Sequence, residues 1–172
     1  MLRSDLAVDW LGRTIARLTA QPWRCAARPW RDFTRERKLT LEVVLRLLVS
    51  RDCLSVQAGL LDRLGWTADA PTASAWSKAR RKLGDQAMPL LNSEFLRPWD
   101  VVPYRGASRL ILADDTGIPI PASDDGDTMV GNGGGGLWHN ECHPTLAYDP
   151  ARDTFEDMVV QGAGKSNEPA AL

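Results

Sequence analysis

The hydrophobic period of the chain changes at about residue 100, and this limits the architectures open to it. Before that point apolar residues recur at helical spacing; after it they come in short runs bounded by Gly, Pro and Asp. From Asp5 to Leu18, the residues Leu6, Trp10, Leu11, Ile15 and Leu18 make one helical face. Thr40 stands where an N-cap belongs, ahead of the stripe Leu41, Val44, Leu45 and Leu48, with Glu42 and Arg46 paired on the outer face. Ser55 opens a further helix through Val56, Leu60, Leu61 and Leu64, and Gly65 stops it. Thr72 caps another that runs to about Leu83. A last helix, from Asp85 to about Leu96, turns Met88, Leu91 and Phe95 inward and Asn92 and Ser93 outward, with Pro89 tolerated near its first turn.

Beyond Val101 the signals are those of strands. Leu110-Ile111-Leu112-Ala113 suits a short buried strand that ends in Asp114-Asp115-Thr116-Gly117. Residues 123–136 are acidic and then Gly-rich, as in a loop. His143 to Tyr148 and Thr154 to Gln161 are two more strands, joined by the turn residues Asp149 to Asp153 as a hairpin. The prediction is therefore an α+β chain, helical over residues 1–100 and sheet-forming over residues 101–172. The second part has no room for the helices that would cover its sheet, so the sheet is expected to be incomplete.

Charge divides at the same place. Residues 1–105 hold eighteen Lys/Arg against eleven Asp/Glu, a net +7, and residues 106–172 hold three against eleven, a net −8. A basic surface collects polyanions, nucleic acid foremost, and an acidic one repels them unless a cation intervenes. Much of the positive charge lies in the linker between the first two helices, at Arg24, Arg28, Arg31, Arg35, Arg37 and Lys38. No apolar run reaches the roughly 18 residues of a membrane span. Asp5 and Asp9 make the start a poor secretion signal. Cys25, Cys53 and Cys142 cannot all pair, which favours a reducing compartment, and a cytoplasmic location is expected.

Two segments carry chemistry. The helix after Thr72 sets Ala75, Trp76, Ala79 and Leu83 on one side and spreads Ser77, Lys78, Arg80 and Arg81 over the other, with Lys82 on the flank. A short helix after a tight turn, small inside and cationic outside, has the form of a helix-turn-helix recognition element, although a solvated charged face reads the same way. Arg35, Arg37 and Lys38 would add phosphate contacts. The other segment is Asp114-Asp115, where a strand-end carboxylate can act as a hard oxygen ligand for Mg²⁺. An aspartyl-nucleophile phosphatase would need a second Asp at position 116, which is Thr116. Gly162-Ala163-Gly164-Lys165-Ser166 lacks the leading Gly of a phosphate-binding loop, Val159 standing in its place. His139, Glu141, Cys142 and His143 match no usual zinc spacing and read as loop and strand-edge residues.

In order along the chain, several segments resemble a DDE transposase of the bacterial insertion-sequence-four type. Phe33-Thr34-Arg35-Glu36-Arg37-Lys38-Leu39 resembles the start of its N-terminal domain, and Ser74 to Leu83 resembles its "S-x-x-S-x-A-R-K-K-L" helix. Arg109 to Thr116 resembles the strand "L-L-A-V-D-G-S/T" that delivers the first catalytic Asp. Leu146 to Asp149, Val159-Val160 and Asn167-Glu168 resemble the two following strands and the "N-E" after them.

The resemblance implies a helical DNA-binding domain followed by a ribonuclease-H-like catalytic domain, in which two Asp and one Glu bind Mg²⁺ for attack on phosphodiester bonds. Its partner would be double-stranded DNA at transposon ends, and the full-length family member would be a possible homodimer. Asp114 carries over as the first metal ligand; Asp115 stands where the family has Gly and is the alternative ligand. The second Asp and the Glu are expected beyond Leu172, so the chain is expected to be a truncated or frameshifted transposase that does not cut DNA alone. The competing readings are a stand-alone helix-turn-helix regulator with an acidic C-terminal module and a small metal-dependent phosphatase.

Overall fold

A computed structural model describes residues 3–35, 37–50, 55–98, 109–131 and 138–163. Those residues form five α-helices and five strands, and the chain divides into two compact units, Met1–Phe95 and Leu96–Leu172. The fold class is α+β. No described helix is long and apolar enough to cross a membrane.

The helices are α1 (Arg3–Thr19), α2 (Leu41–Val49), α3 (Val56–Leu64), α4 (Ala73–Arg80) and α5 (Ala87–Leu96). Three begin at the caps expected from sequence. The hydroxyls of Thr40, Ser55 and Thr72 accept hydrogen bonds from the N–H groups of Val43, Ala58 and Ala75 at 3.3, 3.2 and 3.2 Å. Each satisfies one of the donors that a helix start leaves over. Gly65 ends α3 at φ +95°, a backbone that glycine adopts without steric cost.

Helix α2 is the wall between two apolar clusters. Leu41 and Leu45 pack with Ile15 and Leu18 of α1, Cys25 of the linker, and Ala87 and Leu91 of α5. Val44 and Leu47 pack with Leu60 of α3 and with Trp76 and Ala79 of α4. Serving two clusters explains why Leu47 is buried and Leu48 only partly so, where a single inward stripe would have chosen Leu48. Helix α5 starts two residues later than expected, and Ala87 and Leu91 take the inner face while Met88 stays 42% exposed. The Trp10 indole N–H donates to the Phe95 carbonyl at 2.9 Å, closing α1 onto the end of α5.

In the second unit the strands are β1 (Leu112–Asp115), β2 (Ile118–Ile120), β3 (Met129–Val130), β4 (His139–Asp149) and β5 (Thr154–Gly162), and every pairing is antiparallel to β4. Ile120 and Met129 both pair with Asn140, and Ile118 and Gly162 both pair with Cys142. Strands β1 and β2 therefore lie along one edge of β4, and β5 and β3 along the other. The hairpin from β4 to β5 is closed by Asp149, whose carboxylate accepts from the N–H groups of Ala151 and Arg152 at 2.9 and 3.2 Å. Asp153 then takes a left-handed backbone, φ 58°, which Asp tolerates better than most residues.

The strand at Leu110–Ala113 differs from its expected buried state. Leu110, Ile111 and Leu112 are 61, 36 and 49% exposed, and the strand itself starts only at Leu112. Strand β4 begins at His139, four residues before the expected start, so His139, Glu141 and Cys142 are strand residues. Both differences have one cause. Strand state here comes from backbone pairing to β4 on two edges, and apolar runs mark burial only where a second layer covers the sheet.

Candidate nucleic-acid interface

Helix α4 hangs on a turn that α3 braces. The Gln57 side-chain amide donates to the Pro71 carbonyl at 3.4 Å and accepts from the Ala73 N–H at 2.9 Å, spanning the entry to α4. Trp76 and Ala79 are buried, and Ser77, Lys78, Arg80 and Arg81 are exposed, as the helical wheel requires. The helix ends at Arg80 rather than near Leu83. Lys82 and Leu83 donate to the carbonyls of Ala79 and Arg80 in a tightened last turn, and Leu83 then pairs with Ala26 of the linker. The Lys82 carbonyl accepts from Ala27 N–H at 2.7 Å, and Gly84 N–H donates to the Cys25 carbonyl at 2.9 Å. A Cβ on Gly84 would lie 3.2 Å from the Ala26 carbonyl oxygen, so this close approach suits glycine. The last turn of α4 thus holds Arg81 and Lys82 through the carbonyls of Ser77 and Ala79, and the linker adds a second hold on Lys82 and Gly84.

That pairing brings the linker's charges to α4. One open cavity of about 450 Å³ is bordered by Arg28, Arg31, Arg35, Arg37 and Lys82, with Trp30, Phe33 and one carboxylate, Asp32. A neighbouring cavity of about 370 Å³ is bordered by Arg37, Lys38, Lys78 and Lys82. Five of the eight expected DNA contacts (Arg35, Arg37, Lys38, Lys78 and Lys82) therefore share one continuous groove, while Ser77, Arg80 and Arg81 line neither cavity. Arg28 is committed to structure: its guanidinium grips Asp32 with two 3.0 Å hydrogen bonds. Asp32 is 4% exposed, and the hydrogen bond from Arg28 holds its carboxyl below the usual range. Lys38 is tied to Asp69 at 3.0 Å. Arg35, Arg37, Lys78, Arg80 and Arg81 make no ion pair among the described residues.

Sequence reasoning missed the aromatic members of this groove. Trp30 stacks on Trp23 with centroids 4.7 Å apart and is itself 73% exposed. Trp30 and Phe33 both have left-handed backbones, φ 64° and 57°. Such a conformation costs a non-glycine residue about 1–2 kcal/mol. The signal available in the sequence was a tryptophan among six linker cations.

In the sheet unit, Asp114 and Asp115 part company. Partners in register share a face, and successive residues alternate. Asp114, opposite Leu146, shares a face with Leu112, Ile118, Tyr148, Phe155, Met158 and Val160. Asp115, opposite Thr145, shares the other face with His139, Glu141 and His143. There the His143 Nε2 lies 3.0 Å and the His139 Nε2 3.3 Å from the Glu141 carboxylate, and the His143 Nδ1 lies 3.7 Å from Asp115. The Glu141 carboxylate occupies the space a Cβ would need at Gly117, in the link between β1 and β2, so a larger residue there would displace the end of the Glu141 side chain.

Two carboxylates on opposite faces cannot chelate one ion. Among the described residues no three His, Cys, Asp or Glu side chains converge to hold a metal. The residues described do not assemble a Mg²⁺ pair site, and either Asp can be at most one ligand of it. Lys165 and Ser166 of the phosphate-loop-like tail lie outside the described residues, as does Glu36. No family profile, curated protein or solved structure matches the chain.

Proposed function

We propose that this is a DNA-binding protein akin to the DDE transposases of insertion sequences, with the helical unit gripping duplex DNA and the sheet unit corresponding to the opening strands of a ribonuclease-H-like domain. The observation that carries the reading is the groove where Arg35 and Arg37 of the linker meet Lys78 and Lys82. Beside it, Arg80 and Arg81 stand exposed and without ion-pair partners among the described residues. Cations that make no ion pair among the described residues suit phosphate contacts, each releasing a counterion on binding. Helix α4, braced by Gln57 and short enough to enter a major groove by its exposed side, would supply the base-edge contacts from Ser77, Lys78 and Arg80.

For the sheet unit, support comes from the antiparallel order of β1, β4 and β5 and from the position of Asp114. Its carboxylate is exposed on the face that Leu112, Phe155, Met158 and Val160 leave apolar. A catalytic carboxylate that works with a residue of a covering helix belongs on such a face. In this reading Asp114 is one ligand to Mg²⁺, and the described residues do not supply the others.

The test is a duplex titration at several salt concentrations. Arg80→Ala and Arg81→Ala are each expected to reduce the log–log salt slope by about 1. If both leave affinity and slope unchanged, α4 is not the element on the DNA.

A further inference from the structure

The larger cavity holds more than a phosphate site needs. Its cations Arg31, Arg35, Arg37 and Lys82 are what a nucleic-acid backbone requires. Trp30 has no use in gripping a duplex backbone. With one face on Trp23 and 73% of its surface exposed, its other face is open to solvent. The turn that presents it is locked at the base by the Arg28–Asp32 fork, and both aromatics in that turn keep a left-handed backbone. Exposure of a large indole and an unfavourable backbone are both retained at one rim, next to arginines (Arg31, Arg35 and Arg37) that make no ion pair among the described residues. Strain and exposure at one place point to a ligand that uses the ring.

We infer that this groove binds an unpaired stretch of DNA, one base stacking on the open face of Trp30 while the adjoining phosphates lie along Arg31, Arg35, Arg37 and Lys82. Stacking on an aromatic platform beside a cationic track is the chemistry of single-strand binding, and it tolerates any base because every base has a π-face. A paired base is already stacked within its duplex and cannot reach the ring. The inference rests on the proposed DNA-binding role of the helical unit and names a second form of DNA for it. The two forms share the phosphate contacts of Arg35, Arg37 and Lys82 and separate at Trp30, whose open face only an unpaired base can reach.

The experiment is fluorescence titration of the full chain with oligodeoxythymidylate and, in parallel, with a duplex of equal length. The wild-type chain is expected to bind both, with tryptophan quenching by the single strand. Trp30→Ala is expected to weaken oligodeoxythymidylate binding by about tenfold or more, and duplex binding by less than about twofold. Trp30→Phe, which keeps an aromatic face in the same turn, is expected to restore most of the single-strand affinity while losing part of the quenching. Equal weakening of both ligands by Trp30→Ala, or weakening of neither, overturns the inference. Binding of duplex without oligodeoxythymidylate overturns it and leaves the α4 reading standing. Binding of neither overturns both.

Discussion

In the helical unit Ile15, Leu18, Val44, Leu45 and Leu60 are at most 2% exposed, whereas in the sheet unit Leu112, Ile118, Phe155, Met158 and Val160 are 45–58% exposed. Both regions carry large apolar side chains at regular spacing. Among the described strand residues, Ala147 and Pro144 are the buried apolar ones. The contrast shows that amphipathic pattern and burial are separate matters. Four helices packed around α2 enclose its apolar side chains, but one sheet buries a face only against a second layer. Strand β4 keeps its register because both its edges are paired, and that needs no apolar core.

The comparison can be broken by mutation. Leu45→Ala should cost about 2–5 kcal/mol, read as a shift in the denaturation midpoint of the helical circular-dichroism signal. A loss below about 1 kcal/mol would mean that α2 is not the shared wall of two clusters. Thr40→Ala removes only the cap of the same helix and should cost about 1 kcal/mol, within a range of roughly 0.5–2.

A smaller effect should appear on acidification, and both units share it. The Asp32 carboxyl is held below its ordinary value of 3.8, first by its hydrogen bond from Arg28. At Glu156 burial pushes the carboxyl up. Hydrogen bonds from Arg109 and Thr154, with the charges of Arg109 and Arg152, outweigh that and leave it below 4.5. A depressed carboxyl stabilises the fold above its unfolded pKa and stops doing so as pH falls through the folded value, here below about pH 4. Acid titration should therefore weaken both units in that window. Asp32→Asn should flatten the profile of the helical signal, and Glu156→Gln that of the sheet signal. An unchanged profile in either variant would remove that ion pair from the account.

The smallest expected effect sharpens the contrast most. Met158→Ala, at a 56% exposed strand position, should change stability by no more than about 0.5 kcal/mol. A loss as large as that for Leu45→Ala would show that something covers this face in solution.

Legibility followed the distance between interacting residues. Thr40, Ser55 and Thr72 could be read as caps because each bonds an N–H three residues ahead. Gly65 and the Asp149–Asp153 turn were readable for the same reason. The end of α4 was not, because the bridge that draws Leu83 away comes from Ala26, far back in the chain. Strand β2 and the early part of β4 carry no clean apolar alternation, so pairing alone reveals them. Of the interface, the cations of α4 and the linker were visible singly. Trp30 was not, since its exposure depends on how the linker turns.

By itself, then, the order of residues determined where α2, α3 and α4 begin and where α3 stops, where the period and the charge change, and which turn joins β4 to β5. These depend on contacts between near neighbours and on covalent alternation along the backbone. Only the tertiary structure decided that Leu47 is buried and Leu112 is not, that Asp114 and Asp115 serve opposite faces, and that linker arginines gather beside Lys78 and Lys82. Burial and convergence need a partner from a distant part of the chain, and no local rule specifies which partner arrives.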